Sequence, residues 1–271
     1  MTFNILHGMS PRDGVVEPGR LAELIEATRP DVLALQEVDR WHQRSGDVDF
    51  TAVAAAAMGA RDSRFAATVL GAPNAVWTGR TGAAQPQAAE YGIALLSTLP
   101  VAGWQVTKLP RLGVRVPVRS TVDGRVFIAH DEPRVAITAQ LGEPGTLAVT
   151  ATHLSFIPAW NRRQLRRLMQ VISATPGPHV VMGDLNMSTA AAARVSGWRS
   201  LVSAPTFPVG DPTRQLDYVL TNSDLSVAAA RAMPARLSDH LALVVDVVGD
   251  CVPGLVEEVS RSRSSAPQAH A

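Results

Sequence analysis

Residues 180–186 run Val-Val-Met-Gly-Asp-Leu-Asn, and this stretch constrains the fold more than any other part of the chain. The apolar, β-branched residues predict a buried strand. Gly183 permits a tight exit from that strand, because glycine tolerates backbone angles that other residues resist. Asp184 and Asn186 follow at the carboxyl end, where open α/β sheets usually place their ligands. The alternative is a strand that simply leaves the core through an Asx turn.

Polar side chains recur at the ends of other apolar runs. Glu37 follows the apolar residues of a strand predicted at 31–39, and His153 follows a strand predicted at 147–151. Further polar groups lie within or just before predicted strands: Asn4, Asp217 and the pair Asp239-His240. Each has a structural alternative, such as a hydrogen-bonded tie for Asn4, a solvated acid for Glu37 and a structural role for His153. The recurrence itself favours a shared polar site at strand ends.

The remaining segments indicate one folded unit followed by a tail. Apolar residues at helical spacing predict helices at Pro18–Thr28, Phe50–Met58, 159–172 and 189–195, and an antiparallel hairpin joins 135–141 to 147–151. There is no internal repeat and no clean linker, so residues 1–249 are predicted to form one domain. Residues 250–271 are rich in Ser, Arg, Pro and Ala and are predicted to form a disordered polar tail.

A basic segment lies in the middle of the chain. Residues 108–119 carry Arg111, Arg115 and Arg119 among prolines, which predicts a loop and excludes a regular helix. Two interpretations remain open for these arginines: a plain basic loop, or a contact with phosphate or another polyanion.

Charge and cysteine content limit the function classes. The formal net charge of the 271 residues is +1, so the chain has no global attraction to nucleic acid or anionic membrane, and any polyanion contact must come from local patches. The single cysteine, Cys251, excludes an internal disulfide. No apolar run approaches the length of a transmembrane helix, and the amino-terminal residues lack the features of a signal peptide. We therefore expect a cytoplasmic protein.

The residue types at the strand ends suit two kinds of chemistry. Carboxylates and amides without thiolates are the ligands preferred by a hard divalent cation such as Mg²⁺ or Mn²⁺. Histidines beside carboxylates suit proton transfer near neutral pH. A Gly-rich phosphate loop and a His-x-x-x-His metal pair are both absent from the sequence.

Seven short motifs together carry a resemblance to a known family. In chain order they are Thr2-Phe3-Asn4-Ile5, Leu35-Gln36-Glu37-Val38, Tyr91-Gly92-Ile93-Ala94-Leu95-Leu96-Ser97, Thr152-His153-Leu154, Gly183-Asp184-Leu185-Asn186, Leu216-Asp217-Tyr218-Val219-Leu220 and Ser238-Asp239-His240. The chain resembles the endonuclease/exonuclease/phosphatase superfamily, which includes deoxyribonuclease I-like enzymes, inositol-polyphosphate 5-phosphatases and neutral sphingomyelinases. Each motif is weak alone, but their order across nearly the whole chain is specific.

The resemblance implies a fold and a reaction. The fold is a four-layer α/β sandwich, in which two mixed β-sheets lie face to face and are flanked by helices. The reaction is the hydrolysis of a phosphodiester or phosphomonoester by water. By resemblance, Glu37 would hold the divalent cation with Asn4 and Asp239, and Asp184 would orient or deprotonate the attacking water.

The resemblance also assigns the residues around the phosphate. Asn186 would support Asp184 and contact the substrate, and His240 would donate to the phosphoryl oxygens with Asp217 behind it. His153 occupies the position of a second histidine that is proposed to protonate the leaving oxygen, and Glu90 occupies the position of its carboxylate partner. One departure concerns an arginine that contacts DNA in the deoxyribonuclease branch. Here the arginine follows Asp131-Glu132-Pro133, so Arg134 either replaces that contact or braces the fold.

Three functions remain open at the level of sequence. The first is a Mg²⁺-dependent phosphoesterase acting on nucleic acid, and the second is the same chemistry on a phospholipid or inositol-phosphate headgroup. The near-neutral net charge does not favour nucleic acid. The third is a binding module with an inactive site, which the retention of every motif acid, amide and histidine argues against. We expect a monomer without a stable protein partner.

Overall fold

Two mixed β-sheets pack face to face, and helices cover the outer surface of each. The computed structural model describes residues 1–71, 78–79, 88–119, 124–143 and 145–248, so the predicted tail at 250–271 lies outside the described residues. The helices are α1 (Pro18–Thr28), α2 (Phe50–Met58), α3 (Pro158–Ile172) and α4 (Thr189–Ser196). The strands are β1 (Thr2–Asn4), β2 (Val32–Arg40), β3 (Asp62–Leu70), β4 (Thr78–Gly79), β5 (Glu90–Ser97), β6 (Val101–Lys108), β7 (Arg115–Arg119), β8 (Val126–His130), β9 (Val135–Leu141), β10 (Leu147–His153), β11 (His179–Asp184), β12 (Arg199–Ser200), β13 (Asp217–Thr221), β14 (Val227–Met233) and β15 (Ala242–Val247).

Both sheets combine parallel and antiparallel pairs. The first has the strand order β14-β15-β1-β2-β5-β3-β4, and the second has the order β12-β13-β11-β10-β9-β6. The parallel pairs are β1 with β2 in the first sheet and β10 with β11 in the second. The four strands of these pairs lie inside their sheets, so their carboxyl ends meet at the centre of each sheet edge rather than at a corner.

The sheets and helices are held together by apolar clusters between successive layers. In β11, Val180 and Met182 belong to the cluster between the two sheets, whereas Val181 faces the cluster under α3 and α4. This alternation follows from the period of two along a strand, and it explains why the strand is apolar on both faces. The helix α1 buries Leu21, Leu24 and Ile25 in the same way against the first sheet. The predicted four-layer sandwich is confirmed.

The segment at 108–119 differs from its prediction. Residues 115–119 form β7, which pairs antiparallel with β8 as a separate two-stranded sheet. Pro117 misled the prediction, because proline is rare inside sheets. However, among the described strands β7 pairs only with β8, and an edge strand tolerates a residue that lacks an N–H group. Within the described residues, none of the helices has the length and apolarity that a membrane span requires.

Candidate active site

Three neighbouring strands of the second sheet bring three titratable side chains to one edge. His153 ends β10, Asp184 ends β11, and Asp217 begins the antiparallel β13. The register pairs His153 with Asp184 and Asp184 with Asp217 across adjacent strands. Since residues directly opposite each other share one face of a sheet, the two acids and the histidine lie side by side. All three side chains are buried.

The first sheet contributes Asn4 and Glu37 from its parallel pair. Asn4 ends β1, and Glu37 lies in β2 where the pairing with β5 is irregular between Leu35 and Val38. Glu37 has a φ of 56°, a left-handed conformation that is uncommon for residues other than glycine. The irregularity takes the Glu37 backbone out of the regular β2–β5 pairing. Asn4 Nδ2 then donates to Glu37 Oε1 at 3.0 Å and to Asp184 Oδ2 at 3.1 Å, so one amide joins the two sheets.

A close approach of two strands fixes the position of Asp184. Gly183 has a φ of 145°, and a Cβ atom at this position would lie 1.9 Å from the Thr152 carbonyl oxygen. Only glycine therefore fits where β11 passes β10. Immediately beyond, the Asn186 backbone N–H donates to Asp184 Oδ1 at 2.8 Å. The glycine and this Asx-type bond together set the orientation of the carboxylate.

His240 is held from two directions. Its Nδ1 atom donates to Asp217 Oδ2 at 2.8 Å, and its backbone N–H donates to Ser238 Oγ at 3.1 Å. Ser238 Oγ in turn donates to the Asn4 carbonyl at 2.6 Å, which ties the loop to the first sheet. Burial alone would lower the pKa of His240, but the charge of Asp217 and the hydrogen bond to it outweigh burial and raise the pKa to about 10. The imidazole is therefore a cation at neutral pH.

Asp184 is the carboxylate that all these groups surround. Its Oδ2 atom lies 3.6 Å from His153 Nε2 and 3.8 Å from His240 Nε2. Burial, followed by the nearby charge of Asp217, raises the pKa of Asp184 to about 7. A carboxyl group with a pKa near neutrality can both accept and release a proton under physiological conditions.

Asn186 connects His153 to this carboxylate. Its Nδ2 atom donates to the Leu154 carbonyl at 3.1 Å and lies 3.3 Å from His153 Nε2. Burial, followed by the positive charge of Arg134, lowers the pKa of His153 well below its usual value. His153 is thus neutral in the protein without substrate.

Glu90 has an arginine partner that the sequence did not reveal. Glu90 Oε2 lies 3.2 Å from Arg40 Nη1, and the predicted pairing of Glu90 with His153 stays a prediction. Glu90 begins β5 opposite Arg40 of β2, so the strand register directs its carboxylate to that arginine. Sequence order alone could not reveal this cross-strand partner.

Arg134 is a buried cation next to the site. Its side chain lies 3.4 Å from Glu132, and its Nε atom has no hydrogen-bond partner among the described residues. The charge of Arg134 lowers the pKa of His153 and opposes the rise in the pKa of Glu37. The guanidinium is therefore close enough to act electrostatically on both residues.

Sequence reasoning missed a second arginine at the site. Arg44 Nε and Nη2 donate to the two carboxylate oxygens of Asp39 at 2.7 Å and 2.6 Å, and Asp39 is fully buried. The Arg44 guanidinium carbon lies 5.6 Å from the ring centroid of Tyr91. The available signal was Asp39 at the end of an apolar strand, two residues after Glu37. Nothing in the sequence showed that the loop returns Arg44 to that acid.

The donor set fits a hard divalent cation. Asn4, Glu37 and Asp239 were predicted to hold it, and the structure also brings together Asp184, Asp217 and His240, whose ligand atoms lie within 4.8 Å of one another. Burial and the charge of Asp239 raise the pKa of Glu37, and Asp217 Oδ1 is buried without a hydrogen-bond partner among the described residues. Crowded buried carboxylates are costly unless a positive charge offsets them. A cation would supply that charge.

The stability of the metal-free protein is expected to fall as the pH rises from neutrality to about 10. The folded state raises the pKa of Asp184 to about 7 and that of His240 to about 10. Each contribution is fully present below the unfolded pKa of its group and is lost as the pH rises through the folded pKa. The Asp184 contribution is therefore largely lost by about pH 7, and the decline between neutral pH and about 10 comes mainly from His240. Urea unfolding in EDTA across this range measures the effect.

The control for this prediction is Asp217→Asn, which removes the main cause of the raised His240 pKa. The variant should lose less stability than the parent protein between neutral pH and the upper end of the range. Identical slopes for the two proteins would contradict the assignment.

Comparison with known proteins supports the same architecture. The model of the Endonuclease/Exonuclease/phosphatase family matches residues 1–240. A solved endonuclease/exonuclease/phosphatase from Beutenbergia cavernae DSM 12333 has a TM-score of 0.65 at 24% identity, covering 91% of this chain and 70% of that one. An endonuclease/exonuclease/phosphatase family protein from Leptotrichia buccalis C-1013-b has a TM-score of 0.60 at 15% identity, and the match covers 91% of this chain and 98% of that one. The human Nocturnin catalytic domain, solved with bound sulfate, has a TM-score of 0.57 at 20% identity, and the match covers 91% of this chain and 92% of that one. No curated protein matches the chain.

Proposed function

Because the chain belongs to the Endonuclease/Exonuclease/phosphatase family, we propose that it is a divalent-metal-dependent phosphodiesterase that uses a water molecule activated by Asp184. The observation that carries this proposal is the single amide of Asn4, which holds Glu37 of one sheet and Asp184 of the other within hydrogen-bonding distance. It assembles a cation-binding acid and a proton acceptor around one point. A bound cation and a proton acceptor are the two groups that metal-assisted hydrolysis of a phosphoester requires.

Asp184 is suited to receive the proton of the attacking water. The Asn186 N–H fixes Oδ1, and Oδ2 faces the side of the site that carries the two histidines. A raised pKa of about 7 makes the ionised carboxylate a better proton acceptor than a solvated aspartate would be. Asn4 keeps the acceptor oxygen in place while the proton moves.

The histidines are suited to opposite oxygens of the phosphate. His240 is cationic and directs Nε2 towards the Asp184 side of the site, so it would donate to a phosphoryl oxygen and offset charge in the transition state. His153 is neutral before substrate binds. The negative charge of a bound phosphoester would raise its pKa, and His153 would then protonate the leaving oxygen.

The cation would be held by Glu37, Asn4 and Asp239. When bound, it supplies positive charge to the equatorial and leaving oxygens of the phosphate. Asp239 has a partly exposed side chain, and its carboxylate lies 4.0 Å from His240 Nε2. Arg134 would add a second positive charge on the His153 side and is proposed, with Asn186, to contact the substrate.

Nucleic acid is the first substrate class that we propose, since nucleases are frequent in this family. A phospholipid or inositol-phosphate headgroup is the second. The second class is favoured by an exposed basic and apolar hairpin beside the site, described below. An inactive binding module is the remaining alternative, and a rate measurement distinguishes it from both.

The test is hydrolysis of bis-p-nitrophenyl phosphate by the purified protein with Mg²⁺, with Mn²⁺ and with EDTA. The proposal expects turnover with either metal and loss of turnover with EDTA. Turnover that is unaffected by EDTA would contradict the metal dependence, and no turnover with any divalent metal would favour the binding module. A parallel screen of plasmid DNA, RNA and phospholipid substrates assigns the class.

Glu37→Gln is expected to raise the Mg²⁺ concentration needed for half-maximal activity by about tenfold or more, because an amide oxygen is a weaker ligand than a carboxylate. A Mg²⁺ titration of the initial rate measures this shift. Glu23→Gln, on the exposed side of α1, is the matched control and should leave the titration unchanged. Equal half-maximal concentrations in both variants would remove Glu37 from the cation site.

A further inference from the structure

The hairpin formed by β7 and β8 stands apart from both main sheets. It is a two-stranded sheet of its own, with five paired positions from Arg115–His130 to Arg119–Val126. A two-stranded hairpin is marginally stable in water unless it packs on something else. Its inner face does so in part, since the Phe127 ring lies 6.2 Å from the Phe156 ring.

The outer face of the hairpin is apolar in its middle. Directly paired residues share one face of a hairpin, so Pro117 and Ile128 lie on the same face. Val126 joins them because it precedes Ile128 by two residues, and it lies opposite Arg119. Ile128 is 63% exposed and Val126 is 67% exposed. These are large values for aliphatic side chains, and contiguous exposed apolar residues mark interaction sites more often than chance.

Arginines border this apolar strip. Arg115 and Arg119 lie on the same outer face, one at each end of β7, and both are exposed. Arg119 Nε donates to the neutral Gly124 carbonyl, so its charge is not compensated by that bond. Arg111 and Arg125 flank the hairpin, and Asp123 is the one acid that the sequence places between 111 and 130. The segment therefore concentrates positive charge in a chain whose net charge is only +1.

We propose that the outer face of the β7–β8 hairpin docks on a bilayer containing anionic phospholipids. Aliphatic side chains between arginines match the boundary between headgroups and acyl chains, where arginine keeps its charge at the phosphates while apolar neighbours enter the bilayer. Clustered arginines are attracted to an anionic surface, whereas a neutral surface offers them no such gain.

Other occupants fit the same face less well. Two copies of this chain meeting through their outer faces would bring arginines close to arginines, and like charges at an interface are unfavourable. A nucleic acid would pair with Arg115 and Arg119 but would leave Val126 and Ile128 against its phosphates, where apolar groups gain nothing. An anionic bilayer offers phosphates to the arginines and an apolar interior to Val126 and Ile128.

The position of the hairpin relates this docking to the candidate active site. β8 ends at His130, four residues before Arg134, and Phe156 follows His153 by three residues. A docked hairpin would thus keep Arg134 and His153 near the membrane surface. If the proposed phosphodiesterase function holds, the substrate within reach is a phospholipid headgroup. This consequence for the substrate depends on the proposed function, whereas the docking itself requires no catalysis.

The test is sedimentation of the full chain with vesicles in EDTA, so that binding is measured without hydrolysis. Vesicles of phosphatidylcholine alone are compared with vesicles that also contain phosphatidylglycerol. The docking proposal expects binding to the anionic vesicles at low salt and at least about tenfold weaker binding to the neutral ones, with loss of binding at high salt.

Variants divide the contributions of the face. Val126→Ser combined with Ile128→Ser, and separately Arg115→Gln combined with Arg119→Gln, should each weaken binding to anionic vesicles about tenfold or more. Val106→Ser is the matched control, because Val106 is 48% exposed on β6 of the second main sheet. It should bind as the parent does. Turnover of bis-p-nitrophenyl phosphate by the variants checks that they are folded, since Val126, Ile128 and the two arginines are outside the proposed catalytic set.

Several outcomes would overturn the docking proposal. They are no binding of the parent to anionic vesicles at low salt, equal binding by the paired variants and the parent, dissociation of a dimer by Val126→Ser with Ile128→Ser in light scattering, and retention on DNA without retention on vesicles. A parent that binds anionic vesicles but hydrolyses no phosphodiester would support the docking and refute the proposed function. The two proposals can therefore fail separately.

Discussion

Asp184→Asn is expected to reduce turnover of a phosphodiester by about 10³-fold or more, since a positioned general base contributes about 10² to 10⁴ and Asp184 is also central to the site's charge. Asparagine has the same shape but cannot accept the proton of water. The residual rate in saturating Mg²⁺ should remain low at every pH, because no titration restores a base at this position. Steady-state kinetics with bis-p-nitrophenyl phosphate measure the loss.

The same substitution is expected to leave the metal-free fold intact and to make it no less stable. The Asp184 carboxylate is buried beside Asp217, and burial raises its pKa to about 7. Asparagine removes that buried negative charge and keeps one acceptor oxygen, so it can retain one of the two hydrogen bonds from Asn4 and the Asn186 N–H. We expect the relief of buried charge to offset the loss of the other bond. Thermal unfolding in EDTA should show an unchanged or higher midpoint.

A surface aspartate provides the control for this prediction. Asp246→Asn changes a half-exposed residue that pairs with Arg231 at the edge of the first sheet, and its activity should match the parent. Near-normal turnover by Asp184→Asn would refute the assignment of Asp184 as the base. Loss of turnover together with a much lower unfolding midpoint would instead indicate a structural role.

Gly183→Ala is expected to destabilise the protein by about 3 kcal/mol or more, from the combined cost of a strained backbone angle and overpacking. The φ of 145° disfavours a side chain, and the added Cβ would overlap the Thr152 carbonyl at 1.9 Å. The nearest atoms to this Cβ all belong to the Thr152 backbone, which cannot move aside as a flexible side chain could. β10 and β11 must therefore separate. Equilibrium urea unfolding of the metal-free protein measures the difference.

The matched control is Gly103→Ala in β6. A Cβ at Gly103 meets nothing within 4 Å, and the residue has no positive φ. The control should change the free energy of unfolding by less than about 1 kcal/mol, as most surface substitutions do. A Gly183→Ala protein as stable as the Gly103→Ala control would show that the two strands are not tightly apposed at this point.

The sequence predicted the strands of the site better than their mutual register. Apolar runs ending at Asp184 and His153 identified two strands, because burial on both faces requires continuous apolar sequence. The residue-by-residue pairing of His153, Asp184 and Asp217 depends on contacts between distant segments. Local patterns contain no information about such contacts, and only the family resemblance suggested that these residues belong together.

The contacts that sequence reasoning missed have the same origin. The Arg40 partner of Glu90 could not be predicted, because it depends on the register of β5 with β2. Arg44 was not singled out from the sequence, since its bond to Asp39 depends on how the chain after β2 folds back. The roles of the predicted site residues in catalysis and metal binding stay predictions until the variants described above are measured.

The Asn4 amide donates to both Glu37 and Asp184, so the geometry of the site depends on how the two sheets are aligned. Adjacent residues along a strand are separated by about 3.3 Å, so a slip of one sheet past the other by a fraction of that distance would cost the amide one of its two acceptors. Each sheet by itself holds an incomplete set of groups. Substitutions deep between the layers, far from any phosphate, would then appear first as slower turnover and only later as unfolding.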